Sequence, residues 1–526
     1  MISSTIDHRL RFQQLFWFGL MGFCALLAGY YLAINSLLVA LASLGVLGLM
    51  TLPYHSKLSI VLSVTTFSSA LIVPLFPGRP YVWEFAALLG WSGIIITVCM
   101  RQYAPDAYHV LRTHRWLFIG VVGYCIVLVA TMSYRGFGLR ILGSEQMGGR
   151  YYFQQLTCAI FPFLFAFCRP DEKTLTRLII WQCLLTTTYL ISDFVLSKAP
   201  DALFFLLQFF ELSGDAVNFE LQANRLGIRR FQSFYVVSTG FFYLLLIRYN
   251  LREFYSKKVF YLLPTAILTV GLGMLSGHRY LSVVVLGVLV LSAYAERFFT
   301  MKNSFISMAI LVLGLSSAYA VSDRLPLAAQ RAIAFLPGAS IDAQAKIDAE
   351  NTLEVRRILR KIGMDMAPQH FWIGRGFGVA SVDYSWQWDP TTVTGHVNVG
   401  RFFNGFVGLL VNTGVFGTTF MLIFLGSGSF LAWRIMTFLR STDCEDSFLR
   451  VCKLISSLWT SNVLAFLFLH GDSEFALKTF SIQAGILLTC YLHVLKRKSL
   501  MQEPSKLRNE TNAPLPIRWD AARRTA

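Results

Sequence analysis

The chain has 526 residues, of which 55% are hydrophobic, 15% aromatic and only 14% charged, with a formal charge of +17 and a mean hydropathy of +0.55. Soluble domains carry roughly 25% charged residues, so a soluble globular protein is excluded. No basic soluble segment is large enough to read nucleic acid, and nucleic acid is not an expected partner.

Apolar runs near the ~20 residues that cross a bilayer start around Phe16, Ser36, Leu58, Tyr81, Trp116, Tyr152, Leu175, Phe231, Val259, Tyr280, Phe305, Phe402, Ile455 and Phe475. They predict an all-α, polytopic membrane helix bundle of about 12–14 spans. The first run is followed at once by a second and lacks a small-residue cleavage site, so it is expected to remain as an anchor.

Basic residues in short loops set orientation. With Arg9 and Arg11 inside, the loops carrying Arg101/Arg112/Arg115, Arg169/Lys173, Arg248/Arg252/Lys257/Lys258, Arg297/Lys302 and Arg434/Arg440/Lys453 also fall inside. Both termini are expected in the cytoplasm, with the basic tail 496–526 against anionic lipid headgroups. The predicted organisation is an N-terminal bundle over 1–322 with an external loop near 197–230, a large external loop over 323–401, C-terminal spans over 402–495, and the tail. The 323–401 loop is too long for a passive connection. Within it, "DAQAKIDAENTLEVRRILRKIGMDMA" has helical composition and spacing, and "FWIGRGFG" breaks the pattern with glycines. None of the nine cysteines lies in either external loop, so neither a disulfide framework nor a zinc site is expected.

The outer boundary gathers chemistry-bearing residues. His278, His370, His396 and His470 are placed there, as are Arg225, Arg229, Arg230, Arg279 and Arg401. Guanidinium groups fit phosphate oxygens, and several converging would bind a diphosphate. The plainer reading is that arginines at helix ends snorkel to headgroups. It is weakest for Arg279, which follows a short Ser-Gly-His turn. Gly374, Gly376 and Gly378 have neither P-loop nor dinucleotide spacing; a tight turn that brings backbone close to a ligand is the expected use. Trp372, Trp386, Trp388, Tyr384 and Asp389 suit a sugar face, and equally an interfacial aromatic belt.

In order and topology the chain resembles the O-antigen ligase and Wzy-type polysaccharide polymerase superfamily. The resemblance rests on "RLGIRRFQSFYVVSTGFF", "LSGHRYLSVVV", "EVRRILRKIGMDMAPQHFWIGRGFG" and "FFNGFVGLLVNTGVFG", covering 224–417. It implies a glycosyltransferase in the bacterial inner membrane, working on the periplasmic side. The donor would be an undecaprenyl-diphosphate-linked oligosaccharide. The acceptor would be a second lipid-linked glycan in a polymerase, or lipid A-core in a ligase, alongside other polysaccharide assembly proteins. Arg225, Arg229, Arg230, Arg279 and Arg401 would hold the diphosphate, while Asn404, Trp372, Trp386 and Trp388 would meet the glycan. No cofactor is implied, and no metal, since the outer loops lack an Asp-x-Asp-like pair.

One departure stands out. Where the family places a histidine before the asparagine, this chain has Phe403. The expected catalytic residues are therefore His396 as general base, with His470 in "LHGDSEF" as its substitute, and Arg279; the remaining alternative is that the arginines do most of the work. The departure favours polymerase over ligase. A flippase or other transporter of lipid-linked glycans is the reading from another class, although no internal repeat supports it.

Overall fold

The computed structural model describes residues 51–74, 79–138, 146–197, 201–211, 228, 230–336, 338–380, 393–442 and 446–511, with a few isolated positions before 51. The chain is an all-α polytopic membrane bundle. Its first long elements are α1 (His55–Thr66), α2 (Val82–Cys99), α3 (Arg115–Arg135), α4 (Gly149–Cys158), α5 (Phe161–Phe167), α6 (Glu172–Leu185) and α7 (Thr188–Ser197). The middle of the chain supplies α8 (Gln232–Arg248), α9 (Val259–Met274), α10 (Arg279–Ala295), α11 (Met301–Ala320), α12 (Leu327–Ile333) and α13 (Ala343–Met366). The last are α14 (Val393–Val399), α15 (Gly405–Ser441), α16 (Ser447–Leu464) and α17 (Ala476–Thr511).

From Leu58 onward, each expected span start falls in or beside one of these helices; those at Phe16 and Ser36 lie largely outside the described residues. Among the described residues, seven helices are long and apolar enough to cross a membrane, and three more, α8, α9 and α10, are apolar but shorter. The expected run from Tyr152 is split into α4 and α5. Pro162 sits in the first turn of α5, where its missing N–H is tolerated; it cannot continue an uninterrupted helix through that point.

Connections alternate between two ends. At one end, Arg169 meets Asp106, His493 Nε2 meets the Pro170 carbonyl, and Arg497 pairs with Glu172 and Asp446. Lys453 and Glu296 form a buried ion pair at this same end, and Glu296 also accepts from the amides of Leu251 and Arg252. These are the basic loops of the charge count, gathered together. At the other end, Leu71 pairs with Phe210, Gln146–Met147 pairs antiparallel with Val379–Ala380, and Phe377 N donates to the Tyr152 hydroxyl. The long late loop therefore packs on the shorter loops of that end.

The centre is set by α15, α16 and α17. Lipid is as apolar as a leucine side chain, so packing and internal hydrogen bonds hold such helices together. Trp459, fully buried, sits edge-on to Phe424 and Phe480 and donates from its indole to Ser429 Oγ at 3.1 Å.

The 37-residue α15 contains one non-helical residue, Gly414, at φ 67° and ψ −173°. That region is essentially restricted to glycine. The late loop completes the interrupted hydrogen bonding: Arg375 N and Gly376 N donate to the carbonyls of Val411 and Asn412, and Val415 N donates to Phe371 O. Gly374, at φ 82°, approaches so closely that a Cβ there would lie 2.4 Å from the Asn412 carbonyl. The glycine-rich turn thus brings backbone close to a broken helix, where the sequence led us to expect a ligand.

Candidate functional site

Asp348, on α13, is the anchor. It accepts from Arg230, just before α8, and from Arg331 on α12. Arg331 also donates to Thr352 Oγ1 at 2.8 Å and to Gly277 O at 2.6 Å. Gly277 belongs to the turn between α9 and α10, so the late loop fixes the approach to Arg279. The Arg279 Nη2 atom is buried and has no hydrogen-bond partner among the described residues.

Arg356 completes the group. Its guanidinium lies 5.5 Å from the centre of the Phe403 ring. Burial, and next to it the charge of Arg331, depresses the pKa of Arg356 and brings that of Arg230 down to about 10. His278, half-buried, is pushed down to about 3 by burial, then by Arg331 and Arg230. Cations that destabilise one another in this way make a site suited to an anion.

Phe403 occupies the middle of the adjoining aromatic patch at φ 48°, a backbone conformation that costs a non-glycine residue on the order of 1 kcal/mol or more. His396 stands edge-on to this ring at 4.7 Å and His470 stacks on it at 5.5 Å. His470 also meets Tyr280 at 5.6 Å, and His278 meets Tyr235 at 5.4 Å.

Below these rings a cavity of about 380 Å³ enters the bundle. Tyr235, Tyr280, His470 and Asp472 line its mouth; Leu454, Leu458 and Ile486 line it deeper along α16 and α17.

The structure brings together Arg230, Arg279 and His470 of the residues expected from sequence, and adds Arg331, Arg356 and Asp472. It separates others. Arg401 is not part of the arginine group: its Nε donates to Glu474 Oε1 at 2.6 Å. Burial opposes the charge of Arg401, but Glu474, Tyr151 and Asp472 more than offset this and raise its pKa. Asn404 is buried and caps α15, with its Oδ1 accepting from Val407 N at 3.0 Å, so its side chain is occupied by the fold. Trp372 is exposed and packs on Phe371 and Phe416 beside the break in α15. His396 touches Phe403 but does not line the cavity. Arg225, Arg229, Trp386 and Trp388, with Tyr384 and Asp389, lie outside the described residues.

Arg331 and Arg356 were missed because both sit in a loop whose charge looks ordinary. A signal was present for Arg356. Ala345, Ala349, Leu359 and Gly363 form the buried stripe of α13, and Arg356 falls on that stripe at helical spacing. Arg357, one residue on, has a side chain 80% exposed.

Fold and site together define a multi-pass membrane protein with a cation-rich polar site at one end, above an intramembrane cavity. Among known proteins, the chain matches no family model and no curated relative.

Proposed function

We propose that this chain is a membrane glycosyltransferase of the O-antigen ligase and polysaccharide polymerase type. It would use an undecaprenyl-diphosphate-linked oligosaccharide at the periplasmic face of the bacterial inner membrane, with both termini in the cytoplasm. The observation that carries the reading is the surplus of guanidinium over carboxylate beside the cavity: Arg230 and Arg331 pair with Asp348, Arg279 lies within reach of its charge, Arg356 stands next to Arg331 and Arg279, and Arg279 keeps a buried donor atom without a partner among the described residues.

A lipid diphosphate meets both requirements of such a place. Its phosphates satisfy the guanidinium donors, and its apolar chain is at home in the bundle and the surrounding bilayer. In transfer, an acceptor hydroxyl attacks the anomeric carbon while the bond to the diphosphate breaks. Charge develops on the leaving oxygens, and fixed cations in a water-poor site stabilise that charge most effectively. Arg331 acts through position, because it braces the turn that presents Arg279.

Polymerisation is favoured over ligation, since Phe403 replaces the histidine of the ligase-like pattern. A transporter is disfavoured: its charged site would sit near the midplane between structural repeats, whereas these arginines gather at one end.

The test is the glycan of a strain lacking the chain. Single repeat units on carrier or core support a polymerase, and full-length polymer stranded on the carrier points to a ligase. Unchanged glycan rejects the proposal.

A further inference from the structure

The geometry points to Asp472 as the group that takes the proton from the attacking acceptor hydroxyl, in place of a histidine. The inference rests on the glycosyltransferase reading above and assigns its general base.

Asp472 lies at the junction of the cation group and the cavity. It lines the mouth of the cavity and faces Arg356 and Arg401 electrostatically. One of its oxygens, Oδ1, is buried with no hydrogen-bond partner among the described residues. An aspartate in this position has an ordinary structural use. It precedes the short helical turn Ser473–Phe475, where an aspartate side chain normally caps the first amides. Here it makes no such capping bond. Nor is it consumed by ion pairing among the described residues, where Arg401 is taken by Glu474 and Arg356 lies over Phe403. A buried carboxylate oxygen left without a donor is costly, and a donor supplied by a substrate hydroxyl would relieve that cost.

The histidines fit the role less well. His396 is off the cavity. His470 lines the same cavity, but its ring is packed against Phe403 and Tyr280, while Asp472 presents a buried oxygen with no donor among the described residues.

The step balances with the groups named. The acceptor O–H proton passes to the Asp472 carboxylate, the acceptor oxygen bonds to the anomeric carbon, and the bond from that carbon to the diphosphate oxygen breaks. The leaving undecaprenyl diphosphate takes the electron pair. Attack from the face opposite the leaving group inverts the anomeric centre, and no covalent enzyme intermediate forms.

The experiment uses full-length protein in nanodiscs and the lipid-linked oligosaccharide extracted from cells that lack this chain. Asp472→Asn and Asp472→Ala should lower turnover about 100- to 10,000-fold, the usual contribution of a positioned base. Their affinity for undecaprenyl diphosphate should stay within a few fold of wild type. Asp472→Glu should recover part of the rate. Azide, an acceptor with no proton to lose, should form glycosyl azide with Asp472→Ala and restore measurable donor consumption.

Near-normal turnover in Asp472→Asn overturns the assignment. So does a loss of undecaprenyl diphosphate binding equal to the loss of rate, or a failure of azide to restore consumption, because either marks Asp472 as a positioning residue. Wild-type protein that transfers no glycan from the lipid-linked donor overturns the glycosyltransferase reading itself, and the assignment with it.

Discussion

Arg331 donates from Nη1 to the carbonyl of Gly277 at 2.6 Å, tying a seven-residue helix of the late loop to the turn that delivers Arg279. One guanidinium serves Gly277, Thr352 and Asp348 together. Replacing it with methionine should leave Asp348 and the turn underserved and cost about 3–5 kcal/mol, as for other broken buried pairs. Thermal unfolding of purified protein in detergent measures this, and a melting temperature equal to wild type would contradict the bracing role.

Arg279 itself should matter through its shape as well as its charge. A lysine keeps the cation and loses the planar fork. Hydrogen bonds to charged groups are worth about 1.5–3 kcal/mol, so Arg279→Ala should cost roughly 10- to 150-fold in transfer. Arg279→Lys should be nearly as impaired, with both proteins present in the membrane at normal levels. Wild-type transfer by Arg279→Ala would leave this arginine a headgroup contact.

The two ends of the bundle should be reachable from opposite sides of the membrane. Ala343 and Ser447 are exposed at opposite ends. In a background without the native cysteines, Ala343→Cys should react with an impermeant thiol reagent in cells whose inner membrane is intact. Ser447→Cys should react only after that membrane is opened. The reverse pattern would invert the topology and place the arginine site in the cytoplasm.

His278 gives the fold a pH dependence of definite sign. Its folded-state pKa is lowered to about 3 from an ordinary 6.5. Between those values the unfolded chain binds the proton more readily, so stability rises with pH through the window and falls as pH drops toward 3. Above about 6.5 the residue contributes no slope. His278→Asn should flatten the acid limb of a melting-temperature profile relative to wild type; identical limbs would mean that other groups control it.

What could be read from the chain follows from the range over which each signal acts. Span length and loop charge are local, so composition established the bundle, and the basic loops meet at one end as Arg169, Arg252 and Lys453 illustrate. The site depends on contacts between distant segments. Arg230 and Arg331 share Asp348 across more than a hundred residues of chain, and nothing near Arg230 in sequence announces that partner. Arg401 misled for the same reason: Glu474, which neutralises it, lies 73 residues later. Phe403 was visible as a missing histidine, while its place between His396 and His470 emerges only when two loops meet.

Gly414 should tolerate no side chain. Alanine there would adopt a backbone region reserved for glycine, at about 1–3 kcal/mol, and its Cβ would fall 2.4 Å from the Trp372 carbonyl. Gly414→Ala should therefore yield less folded protein on size-exclusion chromatography, and a normal yield with normal melting would show that the break can close.

That break also orders the protein's birth. When α15 enters the bilayer, the carbonyls of Val411 and Asn412 lack helical donors and must find Arg375 N and Gly376 N. Backbone groups left bare in hydrocarbon cost several kcal/mol each. The donors lie upstream in the chain, so they emerge from the ribosome first and must already be within reach of the break when α15 packs. Docking of the loop and completion of the helix are then one event, and a chain whose loop has not docked would hold a defective helix in the bilayer.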